Sequence, residues 1–216
     1  YKSGKLHIQD ASSQLCVDFL SPKPREVMLD VCSAPGGKSF TAAQYMGDRG
    51  KIFACDLYDH KLKLISDGSK RLGIHSIITM KRDGASSQTS LPLADKILCD
   101  VPCSGLGILS RKPEIRYKDN LITDDLPQLQ YKILCQSAQY LANGGRLVYS
   151  TCTLNPEENN KNAQRFLEEH PDFFGVKLSL PSQINRAFEE KDYEITLMPH
   201  TAGTDGFYIA VFGKKV

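Results

Sequence analysis

The sequence has little net charge, no CxxC pair and no long apolar run, and each shortage removes a class of protein. Its 27 Lys and Arg residues against 25 Asp and Glu leave a formal charge of +2. So small an excess predicts no general attraction to nucleic acid, and any such contact has to come from local basic patches. No Cys/His cluster has zinc-ligand spacing, so no metal site is expected. The seven cysteines are odd in number and several sit inside apolar runs, which predicts a reduced, intracellular protein. With neither a signal peptide nor a stretch of membrane-spanning length, the expectation is a cytoplasmic protein that does not engage a membrane. Internal repeats and low-complexity segments are also lacking. The chain opens on Tyr1-Lys2-Ser3-Gly4-Lys5 and not on Met, as a piece of a longer protein does, and a monomer is the default expectation.

What is present fits one sizeable α/β domain: 216 residues, 41% of them hydrophobic. Strand-like runs at Val27 to Val31, Lys51 to Asp56, Ser76 to Met80, Ala94 to Cys99, Arg146 to Tyr149 and Phe207 to Phe212 alternate with helical patterns. The helices are expected from about Lys38 to Tyr45, Asp59 to Leu72, Asp124 to Leu141 and Pro156 to Glu169. Gly73 stands where a helix C-terminal cap belongs, and Pro156 where a helix opens. Such alternation predicts a mostly parallel sheet with helices on both faces. The stretch from about Asp172 to Lys191 carries no usable pattern.

Two cysteines each follow a strand-like run. Cys103 lies in Asp100-Val101-Pro102-Cys103-Ser104-Gly105, and Cys152 in Ser150-Thr151-Cys152-Thr153. Ligands of open α/β sheets bind beyond the carboxyl ends of the strands, so the two thiols are candidates for one cleft. A thiolate there is a strong carbon nucleophile. The other five cysteines are expected to pack as small hydrophobes.

The first strand leads into Cys32-Ser33-Ala34-Pro35-Gly36-Gly37-Lys38-Ser39, a glycine-rich turn that opens a helix. Backbone can approach a ligand closely there. A P-loop is disfavoured because Cys32 stands where glycine is required, and a dehydrogenase because G-x-G-x-x-G is missing. Asp56, ending the second strand, suits the two hydroxyls of a ribose, or alternatively caps the following helix. Asp83, after the third strand, suits an adenine edge, or is an ordinary turn aspartate. The glycine-rich turn, Asp56, Asp83 and Asp100 fall in the order of a nucleoside-cofactor site along successive strand ends.

At these residues the chain resembles the NOL/NOP/Sun family of S-adenosylmethionine-dependent RNA cytosine-5 methyltransferases, and most of all its bacterial small-subunit rRNA branch. The likeness is carried by Gln9-Asp10-Ala11-Ser12-Ser13, the glycine-rich turn, both cysteine motifs, Asn155-Pro156-Glu157-Glu158-Asn159 and Asp205-Gly206-Phe207-Tyr208. Arg111-Lys112-Pro113-Glu114-Ile115-Arg116 adds to it. Two departures are Ser33, where the family often has alanine, and Lys61, where arginine is common and the charge is kept.

The resemblance implies a Rossmann-like class I methyltransferase fold. It implies a catalytic domain over 26–216, a lead-in over 1–25, and an amino-terminal RNA-binding domain missing from this chain. It implies S-adenosyl-L-methionine as cofactor, held by Cys32, Ser33, Ala34, Pro35, Gly36, Gly37, Lys38, Asp56, Lys61, Asp83 and Asp100. It further implies methyl transfer to carbon 5 of a cytosine in RNA, with Cys152 bonding to carbon 6, Cys103 assisting release and Asp100 holding the base. The residues alone leave the cysteine order open, since DNA cytosine-5 enzymes use the Pro-Cys cysteine, here Cys103. The target base has to be unstacked to react. Arg111, Lys112, Arg116 and Lys118, with Tyr117 among them, are expected to contact small-subunit rRNA, or else form a solvated charged loop. Other readings are a tRNA substrate, a DNA substrate, or an assembly factor that binds RNA without turnover.

Overall fold

Met28 and Leu29, Ile97 and Leu98, and Leu147 and Val148 are adjacent apolar pairs, and successive strand residues point to opposite faces. Strands built from such pairs are stable only where both faces are covered. That is the architecture of the computed structural model, which describes residues 1–87, 91–117, 125–179 and 193–216. The strands are β1 Val27–Asp30, β2 Lys51–Asp56, β3 Ile77–Lys81, β4 Ala94–Asp100, β5 Leu141–Thr151, β6 Phe173–Gly175, β7 Glu194–Leu197 and β8 Phe207–Lys214. They form one sheet in the order β3-β2-β1-β4-β5-β8-β6, with β7 also paired to β8. β1 to β5 run parallel, and β8 is antiparallel to β5, β6 and β7.

The helices are α1 Ala11–Leu20, α2 Gly37–Tyr45, α3 Asp59–Leu72, α4 Asp125–Ala138, α5 Asn160–Glu169 and the short α6 Pro199–Ala202. α1 and α2 cover one face, where Leu15, Val17, Leu20 and Met46 meet Met28, Leu98, Val148 and Ile209. α4 and α5 cover the other, where Leu134 and Phe166 join Leu29, Ile97, Cys99 and Tyr149 in one cluster. The chain winds away from β1 in both directions, so the switch point lies between β1 and β4, where open sheets bind ligands.

The expected alternation is present, with three differences. Residues 1–25, expected as a lead-in, contain α1, whose apolar face belongs to the core. Asp10 caps it, accepting from the Ser12 N–H at 2.9 Å. α4 stops at Ala138 because Leu141 already pairs with Ala94; Arg146 next pairs with Lys96, and the residues between bulge around Gly144 at φ +73°. Pro156 opens a turn and not a helix, since Glu158 and Asn159 turn inward to a buried network, and α5 starts only at Asn160.

Candidate active site at the strand ends

The glycine-rich turn is pinned to β2 by Ser33, whose N–H and hydroxyl both donate to the Cys55 carbonyl at 2.8 and 2.9 Å. Gly36 sits at φ +106°, and a Cβ there would lie 2.5 Å from the Phe40 ring. Only glycine lets the chain enter α2 this way. Beneath the turn, Asp30 is buried and accepts from the Ser39 hydroxyl at 2.6 Å through Oδ2, while Oδ1 has no partner among the described residues. Burial drives its carboxyl up to about 7, against the pull of Ser39 and with repulsion from Asp100.

Asp56 is buried at the end of β2. Its Oδ1 accepts from the Tyr58 N–H at 3.2 Å and lies 3.7 Å from the Lys61 ammonium, which leaves Oδ2 to accept from a ligand. The N-cap of α3 is Tyr58, so Asp56 does not cap that helix. Asp83 accepts from the Ala85 N–H and the Ser86 hydroxyl, both at 2.9 Å, and is thus a turn aspartate that also faces the site. Cys32, Ala34, Asp56, Lys61, Asp83, Asp100 and both thiols line one cavity of about 590 Å³. That volume falls among small-molecule sites. Acidic groups spaced along it, with apolar Val31, Leu57 and Ile133 between them, fit a nucleoside-sized ligand. Ser33, Pro35, Gly37 and Lys38 line an adjacent recess with Asp30 and Gln9.

At the far end, Lys38 pairs with Asp100 at 2.6 Å, and Ser150 donates to the other Asp100 oxygen at 2.8 Å. Burial is the largest single influence on the Lys38 ammonium and pulls it down, but the charge and hydrogen bond of Asp100 together with Cys16 and Asp30 outweigh it, so the net shift is upward. The Cys103 and Cys152 sulfurs lie 3.2 Å apart, unbonded. The Cys152 thiol is held below its ordinary range, chiefly by the hydrogen bond from Cys103 and also by the Lys38 charge, against burial and Asp100. Cys103 is driven up by that same hydrogen bond and by burial. The two thiols titrate as a pair, and the contact between them favours one thiolate beside one thiol.

A second cavity of about 390 Å³ adjoins the first, and Asp100, Ile108, Lys112 and Cys152 line both. Ser13, Lys38, Arg111, Asp205 and Phe207 complete it. Arg111 is ion-paired with Asp205 and lies 4.0 Å from Asp10, and its side chain is still 59% exposed. Lys112 and Arg116 are exposed, Tyr117 is 85% exposed, and Lys118 lies outside the described residues. Gly107 joins the two cysteine loops. Its N–H donates to the Cys152 carbonyl at 2.9 Å, and a Cβ on it would fall 2.0 Å from the Gly206 carbonyl.

The sequence model of the family described as 16S rRNA methyltransferase RsmB/F matches residues 17–213. The chain belongs to this family. It is 40% identical, over its whole length and 49% of the relative's, to the probable ribosomal RNA small subunit methyltransferase B of Bacillus subtilis. The structure of a methyltransferase homolog from Pyrococcus horikoshii matches with a TM-score of 0.79 and 32% identity, covering 100% of this chain and 70% of that one. NSun6 from the same organism, solved with SFG, gives 0.86 and 28%, covering 99% and 54%. The fold is therefore the Rossmann-like one of class I S-adenosylmethionine-dependent methyltransferases. The chain spans about half the length of the curated relatives it matches.

Among the described residues of this RsmB/F-family chain, no group of three or more His, Cys, Asp and Glu is placed to hold a metal, and no helix is long and apolar enough to cross a membrane. The residues that sequence reasoning missed are those that buttress the thiols: Ser104, Gln130, Thr153 and Glu158. The paired glutamates after Pro156 were the available signal, but a charge pair in a turn ordinarily reads as solvated, and only the fold shows Glu158 buried.

Proposed function

We propose that this chain is the catalytic domain of an enzyme that transfers a methyl group from S-adenosyl-L-methionine to carbon 5 of a cytosine in small-subunit rRNA. The observation that carries the proposal is the unbonded thiol pair, 3.2 Å apart at the junction of two cavities. Asp56 and Asp83 would hold the ribose and adenine, and the backbone from Cys32 to Lys38 would cradle the remainder, with Lys61 over the ribose carboxylate partner. Bound there, the cofactor supplies an electrophilic methyl group.

The cytosine reaches Cys152 through the smaller cavity. The Cys152 thiolate adds to carbon 6, and carbon 5 becomes enamine-like and nucleophilic. Asp100, positioned by Lys38 and Ser150, accepts from the cytosine amino group, and from the ring nitrogen once that nitrogen is protonated. After methylation solvent takes the carbon 5 proton, and the electron pair left behind restores the ring double bond and expels the Cys152 thiolate. Cys103, in contact with the Cys152 sulfur at 3.2 Å, assists that release. Lys112, Arg116 and Tyr117 supply phosphate and stacking contacts at the rim.

The test is the Cys103→Ala variant incubated with S-adenosylmethionine and unmodified small-subunit rRNA. A protein–RNA adduct should survive denaturing electrophoresis and be lost in Cys103→Ala/Cys152→Ala. An adduct trapped in Cys152→Ala instead would reverse the two roles. A tRNA that traps as well as rRNA would move the substrate assignment.

A further inference from the structure

Glu158 is 1% exposed, yet its carboxylate touches neither cavity. Four donors surround it: the Ser104 N–H at 2.9 Å, the Ser104 hydroxyl at 2.6 Å, Gln130 Nε2 at 2.8 Å and Asn155 Nδ2 at 3.1 Å. Ser104 directly follows Cys103. Its hydroxyl also meets that of Thr153, which directly follows Cys152, at 2.7 Å. A hydroxyl has one proton to give. Because a carboxylate only accepts, Ser104 donates to Glu158, and Thr153 therefore donates to Ser104. A directed chain thus runs from one cysteine loop through the other to a buried charge. Gln130 also donates to the Pro102 carbonyl at 2.9 Å, so Cys103 is gripped on both sides.

We infer that Glu158 is the positioning residue of the thiol pair, holding the Cys103 loop so that its sulfur stays in contact with Cys152. The family likeness gives the turn that contains it, but the role comes from these contacts. Glu158→Gln keeps the volume and turns one acceptor into a donor aimed at Ser104 or Gln130, so the Cys103 grip is lost while the apolar core is untouched.

Two readouts separate positioning from mere support of the fold. The first needs no RNA: iodoacetamide alkylation of Cys152 against pH, resolved by peptide mass spectrometry. Glu158→Gln should slow Cys152 alkylation at pH 7 by at least about threefold, as its thiol returns toward the ordinary range. An unmoved profile in a folded variant overturns the inference. The second readout rests on the functional reading above: Glu158→Gln, given S-adenosylmethionine and small-subunit rRNA, should accumulate the denaturation-resistant adduct as Cys103→Ala does. An adduct in Cys103→Ala but none in Glu158→Gln overturns the inference and leaves that reading standing. No adduct in Cys103→Ala sinks the reading, and the alkylation profile then decides the inference alone. Should Glu158→Gln fail to fold, Ser104→Ala removes the hydroxyl relay and is read in the same two ways.

Discussion

The two ends of the main cavity are built by different means. At the cofactor end the acids are held by their own neighbours in sequence, Asp56 by the Tyr58 N–H and Asp83 by the Ala85 N–H, and the turn by a single tie from Ser33 to Cys55. At the thiol end the holding is done from a distance, with Glu158 and Gln130 reaching residues 28 or more positions away. Local devices should fail one at a time, whereas a shared side-chain network fails together. Cys152→Ala gives the largest expected effect and the sharpest form of this contrast. Methyl transfer should fall by at least on the order of 10⁴-fold, as for other lost nucleophiles. Cofactor affinity by calorimetry should stay within about twofold, because the cofactor end holds itself. A matching collapse of affinity would show that the ends are one unit.

Lys38 lies between them, at the first turn of α2 and against Asp100. Replacing it with Met removes a positive charge that favours the Cys152 thiolate and leaves Asp100 without its ion-pair partner. The sign is therefore upward for the thiol, and the acid-side limb of a rate–pH profile, where activity rises with the thiolate, should move to higher pH. The rate at neutral pH should drop by about 100-fold, in the range of lost proton-handling groups. A drop in rate with no movement of the profile would confine Lys38 to holding Asp100.

This contrast also explains what was legible beforehand. Parallel strands ending in Asp30, Asp56 and Asp100 announce themselves, because buried apolar runs and strand-end acids are local patterns. α3 and its Gly73 cap likewise fall where the sequence puts them, with Gly73 at φ +68°. Glu158 does not announce itself. Its burial depends on a turn inserted before α5 and on partners in the Cys103 loop and α4, none of which has a periodic signature. The ion pairing of Arg111 is illegible for the same reason. Its partners, Asp10 and Asp205, are nearly 200 residues apart and meet only in the fold. The short β6 and β7, of three and four residues, are too brief for alternation to register.

Asp56→Asn tests the local device at the cofactor end. A hydrogen bond to a charged acceptor is worth about 1.5–3 kcal/mol, so cofactor binding should weaken roughly 10- to 100-fold. Cys152 alkylation should keep its pH profile, since Asp56 is absent from the charges acting on that thiol. A shifted profile would couple the ends through the cavity.

The smallest expected effect is one of stability at the cofactor end. Asp30 holds its proton up to about pH 7 in the folded chain, because burial disfavours the charged form. Unfolded, the same carboxyl ionises near its ordinary value of about 4. Between these two values the folded state carries a proton that the unfolded state has released. Its contribution to stability is thus complete below about pH 4, is lost as pH rises toward 7, and is level above that. Asp30→Asn keeps an oxygen to accept from Ser39 and has no proton to lose in either state. Relative to the parent chain its melting temperature should rise steadily across that window and hold constant beyond it. A difference that stays flat from pH 4 to 8 would mean that Asp30 remains ionised beneath the turn and that a ligand-independent partner satisfies Oδ1.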